Sequence, residues 1–282
     1  MEVNPHEVSD LIRLAILEDV ADGDHSSLAS VPAGKQQKAR LLVKQDGVLA
    51  GVSVALQVFA EVDPNLEVSQ ILHDGDAIRK GDIVLTVSGS AQSILRAERL
   101  VLNIMQRMSG IATHTRRLVD AIRDLPVKLL DTRKTTPNFR VFEKMATAIG
   151  GAHNHRMGLY DMIMLKDNHI DYAGGIEAAI RKTREYLDRT GKNLKIEIET
   201  RNLAEVDEVL RIGGVDIIML DNFSIADLRA AVEKIGGRFE TEASGNITES
   251  SIRQVAETGV DGISSGALTH QINSLDLSLK AY

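Results

Sequence analysis

The sequence predicts an α/β protein whose second half is a complete or partial (β/α) barrel, and three observations support this fold class. Short apolar runs alternate with helical segments after residue 126, as buried parallel strands do when crossover helices join them. The runs end in polar residues, which is typical of the functional end of a barrel. The alternative, a doubly wound sheet, lacks support because the chain has no G-x-G-x-x-G or P-loop motif.

The composition excludes several classes of function. The chain has 282 residues, of which 43% are hydrophobic, and its net charge is -7. This charge argues against a general nucleic-acid or anionic-membrane binder, and the absence of Trp removes the best stacking platform for single strands. The absence of Cys excludes disulfides, thiolate metal sites and cysteine nucleophiles. Because neither a signal peptide nor a membrane-spanning run is evident, we expect a soluble, cytoplasmic protein.

The N-terminal half begins with a helical stripe over residues 6–20, followed by a polar turn. From residue 39 to 89 the pattern changes to short β-like runs divided by glycine turns. The segment 74–89 resembles the turns of biotinyl or lipoyl carrier domains, but no swinging-lysine hairpin accompanies it, and a β-meander is favoured. Residues 92–123 predict a long helix in which Ser109–Gly110 is a candidate break.

The barrel pattern then follows in order. The predicted strands are 127–131, 162–166, 194–200, 215–221, 239–244 and 260–265. The helical segments that separate most of them are 175–190, 202–212, 225–235 and 248–258. Because the carboxyl ends of barrel strands meet at one mouth, the polar residues that end these runs are expected to converge there.

Cationic donors gather between residues 130 and 170 although the chain is acidic. They are Arg133, Lys134, His155, Arg156, Lys166 and His169. This favours a site for a small polyanion, since guanidinium forks bind carboxylates and phosphates bidentately. Structural salt bridges are the alternative for the arginines, and a Schiff-base role is the alternative for Lys166. His153, His155 and His169 also suggest a transition-metal site, although their spacing does not place three ligands together.

Acidic and small residues end the later strands. Glu199 and Asp221 end two successive strands, where paired carboxylates commonly hold Mg²⁺ or sugar hydroxyls, with helix capping as the alternative for Asp221. The segments Ser244–Gly245–Asn246 and Ser264–Ser265–Gly266 are predicted to open the last two helices and to receive a phosphate there, although ordinary strand-to-helix turns would have the same composition.

Seven collinear motifs resemble the quinolinate phosphoribosyltransferase family. They are DTRKTTP (131–137), GGAHNHRMGLYD (150–161), LKDNHI (165–170), IEIET (196–200), MLDNF (219–223), EASGNIT (242–248) and ISSGALTH (263–270). The likeness extends upstream to residues 16–27 and 96–113 and so covers nearly the whole chain.

The resemblance implies an N-terminal α/β sandwich domain (1–110), an open α/β TIM-like barrel domain (111–270) and a C-terminal tail (271–282) that packs back on the N-terminal domain. It implies a cytoplasmic enzyme of de novo NAD biosynthesis that converts quinolinate and phosphoribosyl pyrophosphate, with Mg²⁺, to nicotinate mononucleotide, pyrophosphate and CO₂. It also implies a homodimer or higher assembly in which the partner's arginine, at the position of Arg99, completes the site.

The family's roles fall on named positions of this sequence. Quinolinate is expected to contact Arg99, Arg133, His155 and Arg156, with His169 supporting that wall. Lys134 and Lys166 are expected to act at the pyrophosphate or the carboxylates, and Glu199 and Asp221 at the ribose and Mg²⁺. The 5′-phosphate is expected to bind at Ser244, Gly245, Asn246, Ser265, Gly266 and His270.

Three positions depart from the family pattern. Asn138–Phe139 stands where Gly-Leu is common, His25 stands where an apolar residue is typical, and Ala152–His153 alters a glycine-rich approach. None removes a charged site residue. The competing interpretations are a sibling phosphoribosyltransferase for a monoacid, which would need fewer cations, a non-catalytic phosphometabolite-binding barrel, and a Schiff-base aldolase.

Overall fold

The structure is a computed structural model that describes residues 5–282. Within this range no helix combines the length and the apolar character needed to cross a bilayer. The chain forms two compact units. The first contains the residues up to Arg116, 135–151 and 268–282, and the second contains 117–134 and 152–267. The domain boundaries at 110 and 270 stay a prediction.

The elements up to residue 122 include helices that the β-like pattern did not suggest. In order they are α1 (Pro5–Val20), α2 (His25–Ser30), β1 (Gln36–Val43), β2 (Gly47–Val48), α3 (Val52–Val62), β3 (Glu67–Gln70), β4 (Ala77–Ile78), β5 (Ile83–Ser90) and α4 (Ala91–Ile122). The prediction of β-like runs throughout 39–89 was wrong at α3. Its valines favour strands by propensity, but five of its apolar side chains are buried at helical spacing.

The elements after residue 122 alternate as predicted. They are β6 (Lys128–Leu130), α5 (Arg140–Gly150), β7 (Ile163–Leu165), α6 (Asp167–Ala173), α7 (Ile176–Thr190), β8 (Ile196–Thr200), α8 (Leu203–Ile212), β9 (Ile217–Asp221), α9 (Ile225–Ile235), β10 (Glu240–Ser244), α10 (Ile252–Ala256), β11 (Gly262–Ser264), α11 (Ala267–His270) and β12 (Leu277–Ala281). All six predicted strands are present, slightly shortened, whereas α5 and α6 were not foreseen.

The first unit contains a four-stranded sheet in the order β12-β1-β5-β3. All three pairings are antiparallel, and β1 lies between β5 and β12. The side chains of Leu41 and Leu85 face each other across β1 and β5 and are fully buried. The C-terminal strand is therefore an integral edge of this sheet.

Helix α4 is continuous through Ser109–Gly110, and the candidate break there was wrong. The hydroxyl of Ser109 accepts the N–H of Ala50 at 2.9 Å and donates to its carbonyl at 3.1 Å. Gly110 permits a close approach, since a Cβ at this position would collide with the carbonyl oxygen of Asn273. These two residues thus serve contacts inside the first unit rather than a helix break.

The second unit contains a six-stranded parallel sheet in the order β6-β11-β10-β9-β8-β7. The strands β6 and β7 are its two edges, so the barrel is open on that side. An isolated bridge between Leu130 and His153 extends the sheet beyond β6. Side-chain caps fix where the crossover helices begin: Asn202 accepts the N–H of Glu205, and Ser224 accepts that of Asp227. This architecture confirms the predicted α/β fold class with an open barrel.

Candidate active site

The carboxyl ends of the parallel strands bring most of the predicted site residues to one end of the second unit. Lys166 directly follows β7, Glu199 lies near the end of β8, and Asp221 ends β9. Ser244 ends β10, and Ser265 follows β11. Because the strands are parallel neighbours, this convergence follows from the fold.

Two arginines lie close enough to repel each other. Burial lowers the pKa of Arg156, and the charge of Arg133 lowers it further. Arg156 is half-buried and donates to the carbonyl oxygen of Met162 at 3.3 Å. Arg133 is also half-buried. Such an accumulation of positive charge is relieved by a bound anion, and two guanidinium groups suit an anion with two carboxylates.

A buried aspartate fixes the segment that carries Arg156. Asp131 is fully buried at the end of β6. One of its carboxylate oxygens accepts the backbone N–H of His155 at 2.9 Å, and the other accepts the side-chain amide of Asn154 at 2.6 Å. The segment 154–156 is therefore held against β6 by charge-assisted hydrogen bonds.

The imidazole of His155 contacts two buried glutamates. Its Nε2 lies 3.1 Å from Glu197 and 3.2 Å from Glu242. Burial lowers the pKa of His155, but the hydrogen bonds and charges of the two glutamates outweigh this effect and raise the pKa to about 10. Burial also raises the pKa of Glu197 to about 7, against the opposing influence of His155. Whether His155 also contacts a substrate stays a prediction.

Glu199 and Asp221 form the predicted acidic pair. Burial raises the pKa of Glu199, the charge of Asp221 raises it further, and Lys166 lowers it. The two carboxylates therefore influence each other electrostatically, and both are only partly exposed. Two mutually repelling carboxylates at the edge of a polar site fit a hard divalent cation such as Mg²⁺. The proposed capping role for Asp221 is not observed, since Ser224 caps α9.

Lys166 and His169 meet at the start of α6. The backbone N–H of Lys166 donates to Nδ1 of His169 at 3.0 Å, so His169 is part of a capping box. Both side chains are exposed. The interpretation of the three histidines as a shared metal site gains no support among the described residues, because the one cluster with metal-ligand spacing joins His155 to Glu197 and Glu242.

The residues that follow β9 and β10 have an unusual backbone. Asn222, Gly245 and Asn246 all have positive φ, at 56°, 97° and 50°. Asn222 accepts from the Asn246 side chain at 3.1 Å and donates to Asp221 at 2.7 Å. A Cβ on residue 245 would collide with Asn222, so only glycine fits. The prediction that residues 244–246 open a helix was wrong, because α10 begins at Ile252.

The remaining predicted site residues have different environments. Ser265 is buried, and its backbone N–H donates to Leu130 at 3.1 Å. Gly266 directly precedes α11, as predicted. Lys134 is exposed after β6. Arg99 and His270 belong to the first unit, where both are exposed, on α4 and at the end of α11.

Two of the departures from the family pattern have structural explanations. Asn138 has a φ of 61°, and asparagine is the residue that best replaces glycine in this region. Phe139 packs against Phe142, with 4.9 Å between ring centroids. His25 is the exposed first residue of α2, which Asp24 caps through the N–H of Ser27.

Sequence reasoning missed Glu242 as a site residue. Glu242 is 2% exposed and occupies the middle of β10, on the same strand face as Glu240 and Ser244. A glutamate at an inward position of a barrel strand was the available signal, because such positions are usually apolar. Glu242 also lines a cavity of about 300 Å³ at the amino ends of the strands, whose wall includes Lys128, Lys195, Glu240 and Arg156.

Comparisons with known proteins identify the family of the chain. The model of the quinolinate phosphoribosyl transferase C-terminal domain matches residues 111–280, and that of the N-terminal domain matches residues 24–109. The chain is 46% identical over 290 residues to quinolinate phosphoribosyltransferase [decarboxylating] 1b of Nicotiana tabacum, covering 98% of this chain and 82% of that relative.

Two further comparisons extend the likeness. The chain is 46% identical to the chloroplastic nicotinate-nucleotide pyrophosphorylase [carboxylating] of Arabidopsis thaliana, covering 98% of this chain and 83% of that protein. It superposes on the crystal structure of NadC from Streptococcus pyogenes with a TM-score of 0.92 at 41% identity, covering 99% of this chain and 98% of that one.

Proposed function

The chain belongs to the quinolinate phosphoribosyltransferase family, and on this premise we propose that it makes nicotinate mononucleotide, pyrophosphate and CO₂ from quinolinate and phosphoribosyl pyrophosphate. This reaction would supply de novo NAD biosynthesis. The observation that carries the proposal is the presence of two half-buried guanidinium groups, Arg133 and Arg156, in the same barrel as the acidic pair Glu199 and Asp221.

The arginines would bind the dicarboxylate. Arg133 and Arg156 each offer a planar fork that matches one carboxylate. A monoacid would leave part of this positive charge uncompensated, which supports a diacid as substrate. His155 lies in the same segment as Arg156, and His169 lies beside Lys166. Both histidines belong to the proposed quinolinate site, where His155 also fixes the position of Arg156.

The acidic pair and the small residues would bind the second substrate. Glu199 and Asp221 would hold the ribose hydroxyls and Mg²⁺, which when bound supplies positive charge to the pyrophosphate. Lys134 and Lys166 would face the pyrophosphate. Ser244, Gly245, Asn246, Ser265, Gly266 and His270 would receive the 5′-phosphate, because backbone N–H groups come close to an anion where side chains are small.

The chemistry requires positioning more than proton transfer. As the bond between the anomeric carbon and pyrophosphate breaks, positive charge develops on the ribose, and Glu199 and Asp221 stabilise it electrostatically. The pyridine nitrogen of quinolinate forms the new bond with its own electron pair, so no general base is needed. The ring then accepts the electrons of the carboxylate that leaves as CO₂, and a proton takes its place on the ring carbon. Arg133 and Arg156 would keep the ring in line for the attack.

We also propose that the active site is shared between subunits of a homodimer or larger homo-oligomer. Arg99 and Leu95 are both exposed and lie four residues apart, on one face of α4. An arginine beside an exposed leucine fits a surface that another subunit covers. If Arg99 serves the partner's site, Arg99→Ala and Arg133→Ala should each abolish activity, and mixing the two variants should restore part of it. Subunits that exchange and stay inactive would contradict the shared site.

The reaction itself is tested by the release of CO₂ from carboxyl-labelled quinolinate. Release that depends on both phosphoribosyl pyrophosphate and Mg²⁺, together with nicotinate mononucleotide, is expected. Quinolinate binding without release would favour a binding protein, and no binding would favour a sibling substrate. A cytoplasmic location remains part of the proposal, and cell fractionation would test it.

A further inference from the structure

The interior of the barrel contains an acidic layer that the proposed reaction does not use. Glu197 on β8 is fully buried, and Glu242 on β10 is 2% exposed. Each lies two residues before a mouth residue of its own strand, Glu199 or Ser244, and on the same face. Branched apolar side chains usually fill such positions. Two buried carboxylates at this depth therefore need an explanation.

Both carboxylates converge on His155. Its Nε2 lies 3.1 Å from Glu197 and 3.2 Å from Glu242. Its Nδ1 accepts the backbone N–H of Arg156 at 2.8 Å. An imidazole that accepts at Nδ1 must carry its proton at Nε2, and an imidazolium carries one there as well. In either charge state, Nε2 presents a proton between the two glutamates.

This orientation argues against a metal at the same three residues. A metal would need the lone pair of Nε2, and Nδ1 would then normally donate to a neighbouring acceptor. Here Nδ1 faces an N–H donor instead. The cluster is better suited to holding the ring by hydrogen bonds than to ligating an ion.

The same segment is held from a second side. Asp131, at the end of β6, accepts from the backbone of His155 and from the side chain of Asn154. Carboxylates on β8, on β10 and directly after β6 thus contact two consecutive residues, Asn154 and His155, which directly precede Arg156. When the ring is neutral, the backbone at Arg156 is further tied to it through Nδ1. A displaced ring would therefore move Arg156.

We propose that Glu197 and Glu242 are positioning residues that hold the His155 side chain inside the barrel and so fix Arg156 for the dicarboxylate. The inference rests on the proposed function, because it assigns Arg156 to quinolinate. Because both glutamates are buried, neither would contact substrate directly. Their action is indirect, and removing one should affect the dicarboxylate more than the phosphoribosyl donor.

Glu242 suits a test because the chain offers a matched control. Glu240 lies two residues earlier on the same face and lines the same cavity, and its ion pairs among the described residues are with the exposed Lys128 and Lys195, at 3.8 Å and 3.6 Å. Glu242→Met removes the acceptor for Nε2, Glu242→Gln keeps an acceptor, and Glu240→Met changes the cavity without touching His155. If Glu242→Met fails to fold, Glu197→Met tests the same anchor.

The kinetic measurement separates the two substrates. For Glu242→Met we expect KM for quinolinate to rise at least about tenfold, which corresponds to 1.4 kcal/mol, whereas KM for phosphoribosyl pyrophosphate should stay within about twofold. Glu242→Gln should recover most of the quinolinate affinity, and Glu240→Met should resemble the unmodified enzyme. Equal changes in both KM values, or none, in a folded Glu242→Met protein would overturn the proposal.

A second measurement does not depend on activity. Hydrogen exchange followed by mass spectrometry should show faster exchange in the peptide containing residues 154–157 for Glu242→Met, and not for Glu240→Met. An unchanged exchange rate of this peptide in Glu242→Met would overturn the proposed positioning role of Glu242, even if the unmodified protein proved to be inactive. An inactive unmodified protein with the expected exchange pattern would instead contradict the proposed function and leave the anchor standing.

Discussion

Buried glutamates occur in both units, and their surroundings are opposite. Glu143, in the first unit, is fully buried and accepts from both Nε and Nη2 of Arg107, at 3.1 Å and 2.8 Å. It also accepts from the backbone N–H and hydroxyl of Thr136, at 3.0 Å and 2.9 Å. Glu197 and Glu242 share a single imidazole, and both carboxylate oxygens of Glu197 and the Oε1 atom of Glu242 have no hydrogen-bond partner of good geometry.

The difference shows what each carboxylate contributes. A buried carboxylate that accepts hydrogen bonds from a full set of donors stabilises the fold, and its removal leaves those donors without a partner. A buried charge with few donors adds little to stability and persists for another reason, such as holding a neighbouring group in place. The buried glutamate of the first unit therefore stabilises the fold, whereas the glutamate pair of the second unit orients the His155 side chain.

The strongest test of this contrast is Glu143→Gln. The amide would place an N–H group against Arg107 or Thr136 and remove the charge that Arg107 pairs with. We expect the free energy of unfolding to fall by about 3 kcal/mol, the usual effect of breaking a buried pair. Urea denaturation measures it. Glu257→Gln, which breaks an exposed pair with Arg253, is the control and should leave the midpoint nearly unchanged.

The second test is the pH dependence of stability. The pKa of His155 is raised to about 10 in the folded protein from an ordinary value of 6.5. This raised pKa stabilises the folded protein. The full stabilisation is present below pH 6.5, and it is lost as the pH rises through 10. Between pH 6.5 and 9.5, the unmodified protein should lose on the order of 3 kcal/mol relative to His155→Gln. Urea denaturation at both pH values gives this difference.

The difference in unfolding free energy between the two proteins could also stay constant with pH. A constant difference would mean that the N–H of Arg156 at Nδ1 keeps the ring neutral. The two glutamates would then hold His155 through the Nε2 proton alone. An NMR titration of the imidazole distinguishes the two charge states directly.

A smaller effect is expected for Thr136→Val. This change removes one of the four donors to Glu143 and keeps the backbone donor. The loss of a hydrogen bond to a buried charge should cost about 1 kcal/mol. Thermal or urea denaturation measures it, and a cycle with Glu143→Gln isolates the coupling. Additive losses would mean that Thr136 does not belong to the network.

The smallest effect on stability is expected for Glu242→Met. An apolar side chain of similar volume replaces a carboxylate that has few donors, and such changes are often neutral or stabilising. We expect unfolding free energy to change by less than about 1 kcal/mol. A loss as large as that for Glu143→Gln would show that the two carboxylates have the same role.

The alternation of apolar runs and helices predicted the barrel strands, because a buried parallel strand is a local pattern. The order of the motifs predicted the family. Helix α3 was not predicted, since its valines favour strands until burial is known. The convergence on His155 was not predictable either. It joins residues from the β6–β7 connection, β8 and β10, and no spacing in the sequence encodes which inward side chains meet.

Three asparagines adopt a backbone conformation that the sequence alone predicts only weakly. Asn138, Asn222 and Asn246 all have positive φ, a conformation that a sequence only suggests. In the loop after β10, this backbone replaced the predicted helix start. An ordinary turn was the alternative interpretation of this segment. The turn is stabilised by the close approach of Asn222 to Gly245 and by its hydrogen bond with Asn246.

The position of β12 has a consequence for biosynthesis on the ribosome. β1 leaves the exit tunnel before the second unit, yet one of its two partner strands is β12, which follows the second unit along the chain. The first unit thus cannot complete its sheet until β12 has been synthesised, whereas the second unit is by then already available to fold. For this interval β1 presents an open edge to other nascent chains. Chaperone binding to the nascent N-terminal half should therefore be prolonged until β12 emerges.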